Sequence, residues 1–485
     1  MRLIRAIATG VVWCALATMA GAQQVVTYQL TYGGDGRVVV EMTGPPSPAP
    51  HTFVMPRAVP MGYGQRPYDQ FVGDIKAESF GAMPTTVVRE EGPRWRVGHA
   101  GGNVQSVRYE VNVLAMEAAI LAGGDSSRAR EDYLFVLGYS VFGYIEGFES
   151  AAVRLEIVGP ANWPVFTTLA PKSPPGKGLV TVTAANFYEL ADSQIVMGSG
   201  VRIERVETSV AAPLFVVTRE ELEIDRARVY AMAKESYERL AAYFGSVPYA
   251  HYTAIFEFLK PVTANHTYGF SMEHLESATF CLGKDRALAA NSNEREVNFF
   301  RVNVAHHMAH AWIPKRAYGQ GYFPFSWEVA PAHDSIWFSE GFGQYAAIDA
   351  LADGLPEPQR AAQLERYIEA RFRANLRQMP AFLLEMPLEQ LSYRGSYVYS
   401  EDFRVGRTLF SRGGLMAAEM DARIREKTKG AKRLRDALRH LLAWSAKHQR
   451  GFEIRELPGI FEEATGVDVR DILQKWLGPM PKGSG

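Results

Sequence analysis

Apolar and polar residues alternate along the first part of the chain. Val107, Tyr109, Val111 and Val113 are separated by polar neighbours, as are Val153, Leu155 and Ile157, and this period of two predicts strands from Val25 to about Gly198. Gly33-Gly34-Asp35-Gly36 divides two strand-like runs as a hairpin turn would, while prolines and glycines at residues 44–50 and 171–178 mark long loops between strands. The expectation is an all-β region. Near Arg219 the period changes: residues 220–244 carry charges on one side and Ala, Leu, Met and Tyr on the other, which predicts an amphipathic helix. A short buried strand is expected at residues 254–259, followed by a loop rich in His and Gly that runs to Thr279. Residues 294–312 form the next predicted helix, with Val297, Phe300, Val304, Met308 and Ala311 at steps of three and four. Beyond Glu340 the pattern is helical almost to the end, strongest at residues 415–428 and 432–445, with a frayed terminus at 481–485.

The start of the chain changes the expected location. Arg2 and Arg5 precede an uncharged, mostly apolar run over residues 6–19, and Ala20-Gly21-Ala22 offers small residues for cleavage. This reads as a signal peptide, giving a periplasmic or secreted protein that begins near Gln23. The run is shorter than the roughly 20 residues of a membrane span, and no later uncharged stretch reaches that length. Cys14 leaves with the leader, so Cys281 has no intramolecular partner and stability must rest on buried core. About 460 mature residues suggest two to four domains. Net charge is −1, or about −3 after loss of Arg2 and Arg5, and with the two signs interspersed there is no basic field for nucleic acid.

Six of the eleven histidines fall between His266 and His333. His306 and His310, four apart on a predicted helix, share one face a single turn apart and can converge on one Zn²⁺. Two histidines at this spacing are common in helices that bind nothing. Two further segments change the picture: Ile336-Trp337-Phe338-Ser339-Glu340-Gly341-Phe342-Gly343-Gln344-Tyr345 downstream and Tyr268-Gly269-Phe270-Ser271-Met272-Glu273-His274 upstream. Together with His306 to Arg316, they resemble the glycyl-aminopeptidase family of zinc metallopeptidases, of the gluzincin or HExxH class. That family's helix motif is HExxH followed by a Trp and a Lys-Arg pair, matched here by Trp312, Lys315 and Arg316. Its third ligand is the Glu of W-x-S-E-G-F, about 30 residues after the second His, and its upstream motif reads G-L-E-H.

The resemblance spans nearly the whole mature chain. It implies a multidomain α+β fold: signal peptide at 1–22, a β-rich amino-terminal domain at 23–200, a thermolysin-like α/β zinc domain at 201–350, and a helical carboxy-terminal domain at 351–485. A peptide-binding PDZ module, frequent at the end of family members, is not expected. The resemblance makes His306, His310 and Glu340 the ligands of one Zn²⁺ per chain, a donor set that leaves a fourth position open. It makes Glu273, with His274 beside it, the residues that receive the free amino terminus of a peptide or protein. Trp312, Lys315 and Arg316 brace the helix end.

Two positions depart from the family. His307 stands where the general-base glutamate belongs, and Phe410, in Phe410-Ser411-Arg412-Gly413, stands where a Y-x-K-G tyrosine stabilises the oxyanion. Losing a general base costs on the order of 10²- to 10⁴-fold, and losing one oxyanion donor about 10²- to 10³-fold. Tyr393, Tyr397 and Tyr399 lie near enough in sequence for one to substitute. Three readings follow: a zinc-binding pseudopeptidase that holds peptides or partners in a former active-site cleft, a working aminopeptidase for small residues such as Gly or Ala with His307 or an outside carboxylate such as Glu276 as base, and a metal-free interaction protein. For His307 the expected position is beside the metal's open site rather than on the metal, since helix geometry set for a glutamate reaches outward.

Overall fold

A computed structural model of the chain describes residues 24–480 apart from Phe80 and residues 121–124. The expected leader and frayed terminus lie outside the described residues. The first hairpin forms as its sequence suggests: Val25–Tyr32 and Arg37–Pro48 pair antiparallel, and the turn uses Gly34 at φ 96° and Gly36 at φ 79°. Such backbone angles suit residues without a Cβ. Register aligns Tyr28 with Met42, Leu30 with Val40 and Tyr32 with Val38, so one face of the hairpin is buried. These strands sit in a 7-stranded sheet in which Val25–Tyr32 also pairs parallel with Ala152–Val158. Sheets of 5 and 4 strands complete the β-rich region.

That region is not all β. Short helices occur at Val113–Ala119, Gly138–Val141 and Phe187–Asp192. In the first and third an asparagine starts the helix: the Asn112 side chain accepts from the Ala115 amide and that of Asn186 from the Glu189 amide. These caps satisfy amides left free at a helix start, and so Val113, the last member of an alternating run, begins a helix.

A further 5-stranded sheet carries the site. Its order is Val201–Val206, Leu214–Glu220, Tyr252–Phe258, Ser277–Leu282 and Gly269–Glu273; the middle three are parallel and the two edges antiparallel. Because Leu214–Glu220 is a strand, the helix expected from residue 220 starts at Arg226, runs to Phe244, and ends on Gly245 at φ 77°. Helix Glu294–Ala309 opens on a capping box in which Asn293 and Glu296 bond each other's backbone amides. Phe403–Lys427 is a single 25-residue helix, longer at its start than the expected 415–428, so it includes Phe410. Helix Leu434–His448 follows.

Two apolar clusters organise the molecule. One extends from Leu214 to Leu473 and crosses residue 350 without a break. The other fills the β-rich region from Val26 to Met197 and takes in Phe215, Val217, Ile255 and Met272 from the site-bearing sheet. At this seam Arg128 donates from Nε to both oxygens of Glu257 at 2.9 and 3.0 Å, and both side chains are fully buried. None of the described helices is long and apolar enough to cross a membrane.

Candidate metal centre

Helix Glu294–Ala309 delivers His306, and His310 caps its end. Their Nε2 atoms lie 3.2 Å apart. Glu340 comes from Trp337–Phe342, a wide π-helical turn, and its Oε2 lies 3.3 Å from His306 Nε2 and 3.9 Å from His310 Nε2. Two donors each 2.0–2.1 Å from a tetrahedral zinc are separated by about 3.4 Å, so the spacing of the three atoms fits that ion. His310 Nδ1 is 2.7 Å from the Ile313 carbonyl, which fixes the proton on Nδ1 and leaves Nε2 as a lone-pair donor. Burial holds His306 neutral. Burial raises the Glu340 carboxyl, with His310 acting against it and Glu273 adding to it. A dication would relieve both strains, so the donor set suits Zn²⁺.

The glycines of the two distant motifs have a packing reason. A Cβ on Gly341 would lie 2.5 Å from the Gly413 backbone, and one on Gly413 would lie 2.0 Å from the Trp337 carbonyl oxygen. The turn that carries Glu340 therefore lies backbone to backbone against helix Phe403–Lys427.

Glu273 ends the edge strand Gly269–Glu273. It is 6% exposed, one of a small number of buried carboxylates at this centre, and its donor atom lies within 4.8 Å of those of His310 and Glu340. Burial would raise its carboxyl, but His310, His307 and Lys315 together hold it lower than usual. His307 Nδ1 is 3.5 Å from Glu273 Oε2, and burial, opposed by Glu273, keeps the imidazole neutral. The His307 ring centre is 4.8 Å from that of His306 and 5.7 Å from that of His310, against 4.3 Å between His306 and His310. A set of His306, His307 and His310 also has donor atoms within 4.8 Å of one another. The Glu340 oxygen, 3.3 and 3.9 Å from the two Nε2 atoms, has the spacing of a shared ion, whereas the His307 nitrogen is placed only within the wider 4.8 Å limit.

His274 is engaged elsewhere, with Nδ1 3.3 Å from Asp192 Oδ1. Glu276 is paired with His251 at 3.3 Å. Trp312 stacks on Phe244 and donates to the Ser246 carbonyl at 2.9 Å. Lys315 donates to the Pro60 carbonyl at 2.8 Å, and Arg316 to those of Leu275 and Pro248, so this run ties the helix end to its surroundings. Phe410 is buried and faces Phe403 and Arg371.

Among the three tyrosines considered for the missing hydroxyl, Tyr393 and Tyr397 are 49% and 46% exposed. Tyr399 instead lies close enough to Glu340 for the two groups to influence each other's ionisation. Tyr63 also lies near Glu340; its hydroxyl is 3.5 Å from that of Tyr322, its ring packs on Tyr399 at 4.9 Å, and its turn is held by the Gly64 amide donating to the Ser396 carbonyl at 2.8 Å. Sequence reading missed Tyr63, which stands in the β-rich region within Met61-Gly62-Tyr63-Gly64 and belongs to no motif.

The fold is a multidomain α+β architecture, with a β-rich amino-terminal region and a helical carboxy-terminal one. More particularly, residues 29–199 match the Peptidase M61 N-terminal domain. An aminopeptidase N family protein from Idiomarina loihiensis shares the fold with TM-score 0.79 and 17% identity, over 94% of this chain and 76% of its own. An M1 zinc metallopeptidase from Deinococcus radiodurans shares it with TM-score 0.55 and 15% identity, over 95% of each chain. A mutant of that enzyme bound to a Tyr-Ser-Ala substrate gives TM-score 0.55 and 14% identity, again over 95% of each. No curated protein matches the chain by sequence.

Proposed function

We propose that this protein binds one zinc per chain through His306, His310 and Glu340, holds a peptide or protein by its amino terminus at Glu273, and hydrolyses it very slowly or not at all. Zinc in this position supplies a Lewis acid that polarises a carbonyl oxygen. A buried carboxylate at the end of an edge strand pairs with an ammonium group, and the edge offers free backbone groups to an extended peptide. The observation that carries the reading is that an imidazole, His307, stands between the two metal-facing histidines of the helix and 3.5 Å from Glu273, where such a site needs a carboxylate to take up a proton. A cation formed there would sit beside a dication. Phe410 adds the loss of one hydroxyl.

A second reading, a working aminopeptidase for amino-terminal Gly or Ala, is favoured by the 3.5 Å contact between His307 and Glu273. A carboxylate facing an imidazole raises its basicity, and the Tyr399 hydroxyl near Glu340 offers a donor in place of the one Phe410 lacks. Metal analysis and turnover of glycyl and alanyl p-nitroanilides, with and without chelator, separate the readings. The first requires about one zinc per chain and turnover at least ~10²-fold below 1 per second. Turnover of roughly 1 to 10³ per second, abolished by chelator, establishes the second instead. Absence of zinc after replenishment removes both and leaves the metal-free interaction protein. The proposal extends to location: residues 1–22 act as a signal peptide, and recovery of exported protein with Met1 intact would overturn that part.

A further inference from the structure

Two turns before His306, on the same face of helix Glu294–Ala309, stands Phe299, 39% exposed. Two guanidinium groups share its ring: Arg286 at 4.8 Å and Arg371 at 5.3 Å. Arg371 also faces Phe410 at 5.9 Å, Phe410 lies 6.2 Å from Phe403, and Phe403 carries Arg407 at 5.3 Å. Three cations are thus gathered on one aromatic row beside the metal centre. None of the three has a carboxylate within 4.0 Å among the described residues, although 41 such ion pairs join other residues of the molecule. Arg371 donates to the Gln344 side-chain oxygen at 3.2 Å, while its Nε is buried and unpartnered. A ring face attracts a guanidinium but does not neutralise it. Burial lowers Arg371 to about 10, and the neighbouring charges of Arg286 and Arg407 act in the same direction. The cluster is therefore short of an anion.

Its place beside an edge strand identifies the anion. Strand Gly269–Glu273 is the open edge of its sheet, and helix Glu294–Ala309 runs beside it, with Asn303 donating to Ser271 at 3.0 Å. Glu273 closes one end of this edge, and Arg286 packs against the other, its Cγ 3.6 Å from where a Gly269 Cβ would stand. Four strand steps of about 3.3 Å separate the two ends, roughly 13 Å, or three to four extended residues. A peptide whose ammonium meets Glu273 and which runs antiparallel to the edge strand would bring its other end to the arginines.

We propose that Arg286, Arg371 and Arg407 receive the terminal carboxylate of a short peptide, so that the cleft is selective for free peptides of three to four residues. This rests on the peptide-holding reading above. The test is calorimetric binding of Ala-Ala-Ala as free acid and as carboxamide to zinc-replete full-length protein. The acid is expected to bind about 10- to 100-fold more tightly, as charge-assisted hydrogen bonds do. The variant Arg286→Gln with Arg407→Gln, both on accessible side chains, should abolish that preference. Equal binding of acid and amide overturns this inference and leaves the peptide-holding reading intact. If neither tripeptide binds, that reading falls, and inorganic phosphate alone then probes the arginines: binding lost in Arg371→Met and in the double variant sustains an anion site, and binding unchanged by the substitutions refutes it. An amide carrying a carboxylate only in a side chain, Ala-Ala-Glu amide, should bind like the plain amide; binding as tight as the free acid overturns the assignment to the peptide terminus.

Discussion

Replacing Glu257 with Gln should destabilise the whole molecule, because Glu257 holds the seam between the β-rich region and the site-bearing sheet. The carboxylate accepts from Arg128 Nε at 2.9 and 3.0 Å, from Arg128 Nη2, and from the Tyr133 hydroxyl at 2.8 Å. Both members of the pair are 0% exposed. Gln preserves the shape and takes the Glu257 charge away from the buried Arg128 guanidinium. Cys281, close to the same guanidinium, supplies no negative charge, since burial pushes its thiol well above the ordinary value. Breaking a buried pair from one side costs about 3–5 kcal/mol. At a urea slope of about 3 kcal/mol per M, the midpoint falls by about 1 to 1.7 M. The assay is urea unfolding followed by tryptophan fluorescence, with Arg154→Gln as the reference. Arg154 pairs with Glu156 while 53% exposed, and a pair of that kind contributes about 0–1 kcal/mol. A Glu257→Gln midpoint no lower than that of Arg154→Gln would refute the reasoning.

Gly413→Ala should damage the metal site without touching a ligand, because its Cβ would stand 2.0 Å from the Trp337 carbonyl oxygen; the measurement is zinc affinity against Gly459→Ala, a helical position where the added Cβ meets no atom. His306→Ala and Glu340→Ala should each abolish zinc retention on dialysis, read by metal analysis, and retention equal to wild type would remove these residues from the ligand set. In a background carrying His307→Glu, Tyr399→Phe should lower hydrolysis of an alanyl substrate by about 10²- to 10³-fold if its hydroxyl replaces the one Phe410 lacks. An unchanged rate would confine Tyr399 to positioning Glu340.

Much of the scaffold was legible because its causes are local. The spacing of His306 and His310 follows from one helical turn, and the first hairpin from its run of glycines and the alternation on either side. Shape-encoded motifs were also visible: Ser-Glu-Gly at 339–341 and Arg-Gly at 412–413 meet backbone to backbone, which requires glycine at both contacts. What was not legible depends on distant parts of the chain. Tyr63 reaches Glu340 from a turn in the β-rich region, and only the fold separates Tyr399 from the exposed Tyr393 and Tyr397. The arginine row has no sequence spacing at all, since Arg286, Arg371 and Arg407 come from three elements. Short helices inside a β pattern were hidden because side-chain caps at Asn112 and Asn186 outweigh the period of two.

The central claim is that zinc and peptide are held while proton transfer fails at His307. The most direct test is the turnover of alanyl p-nitroanilide by zinc-replete wild type and by His307→Glu with Phe410→Tyr, with zinc content measured on both. The account predicts equal zinc, a wild-type rate at least ~10²-fold below 1 per second, and a rise of several orders of magnitude in the double variant. Wild-type turnover of roughly 1 to 10³ per second, or a double variant that keeps its zinc and gains no rate, would contradict it.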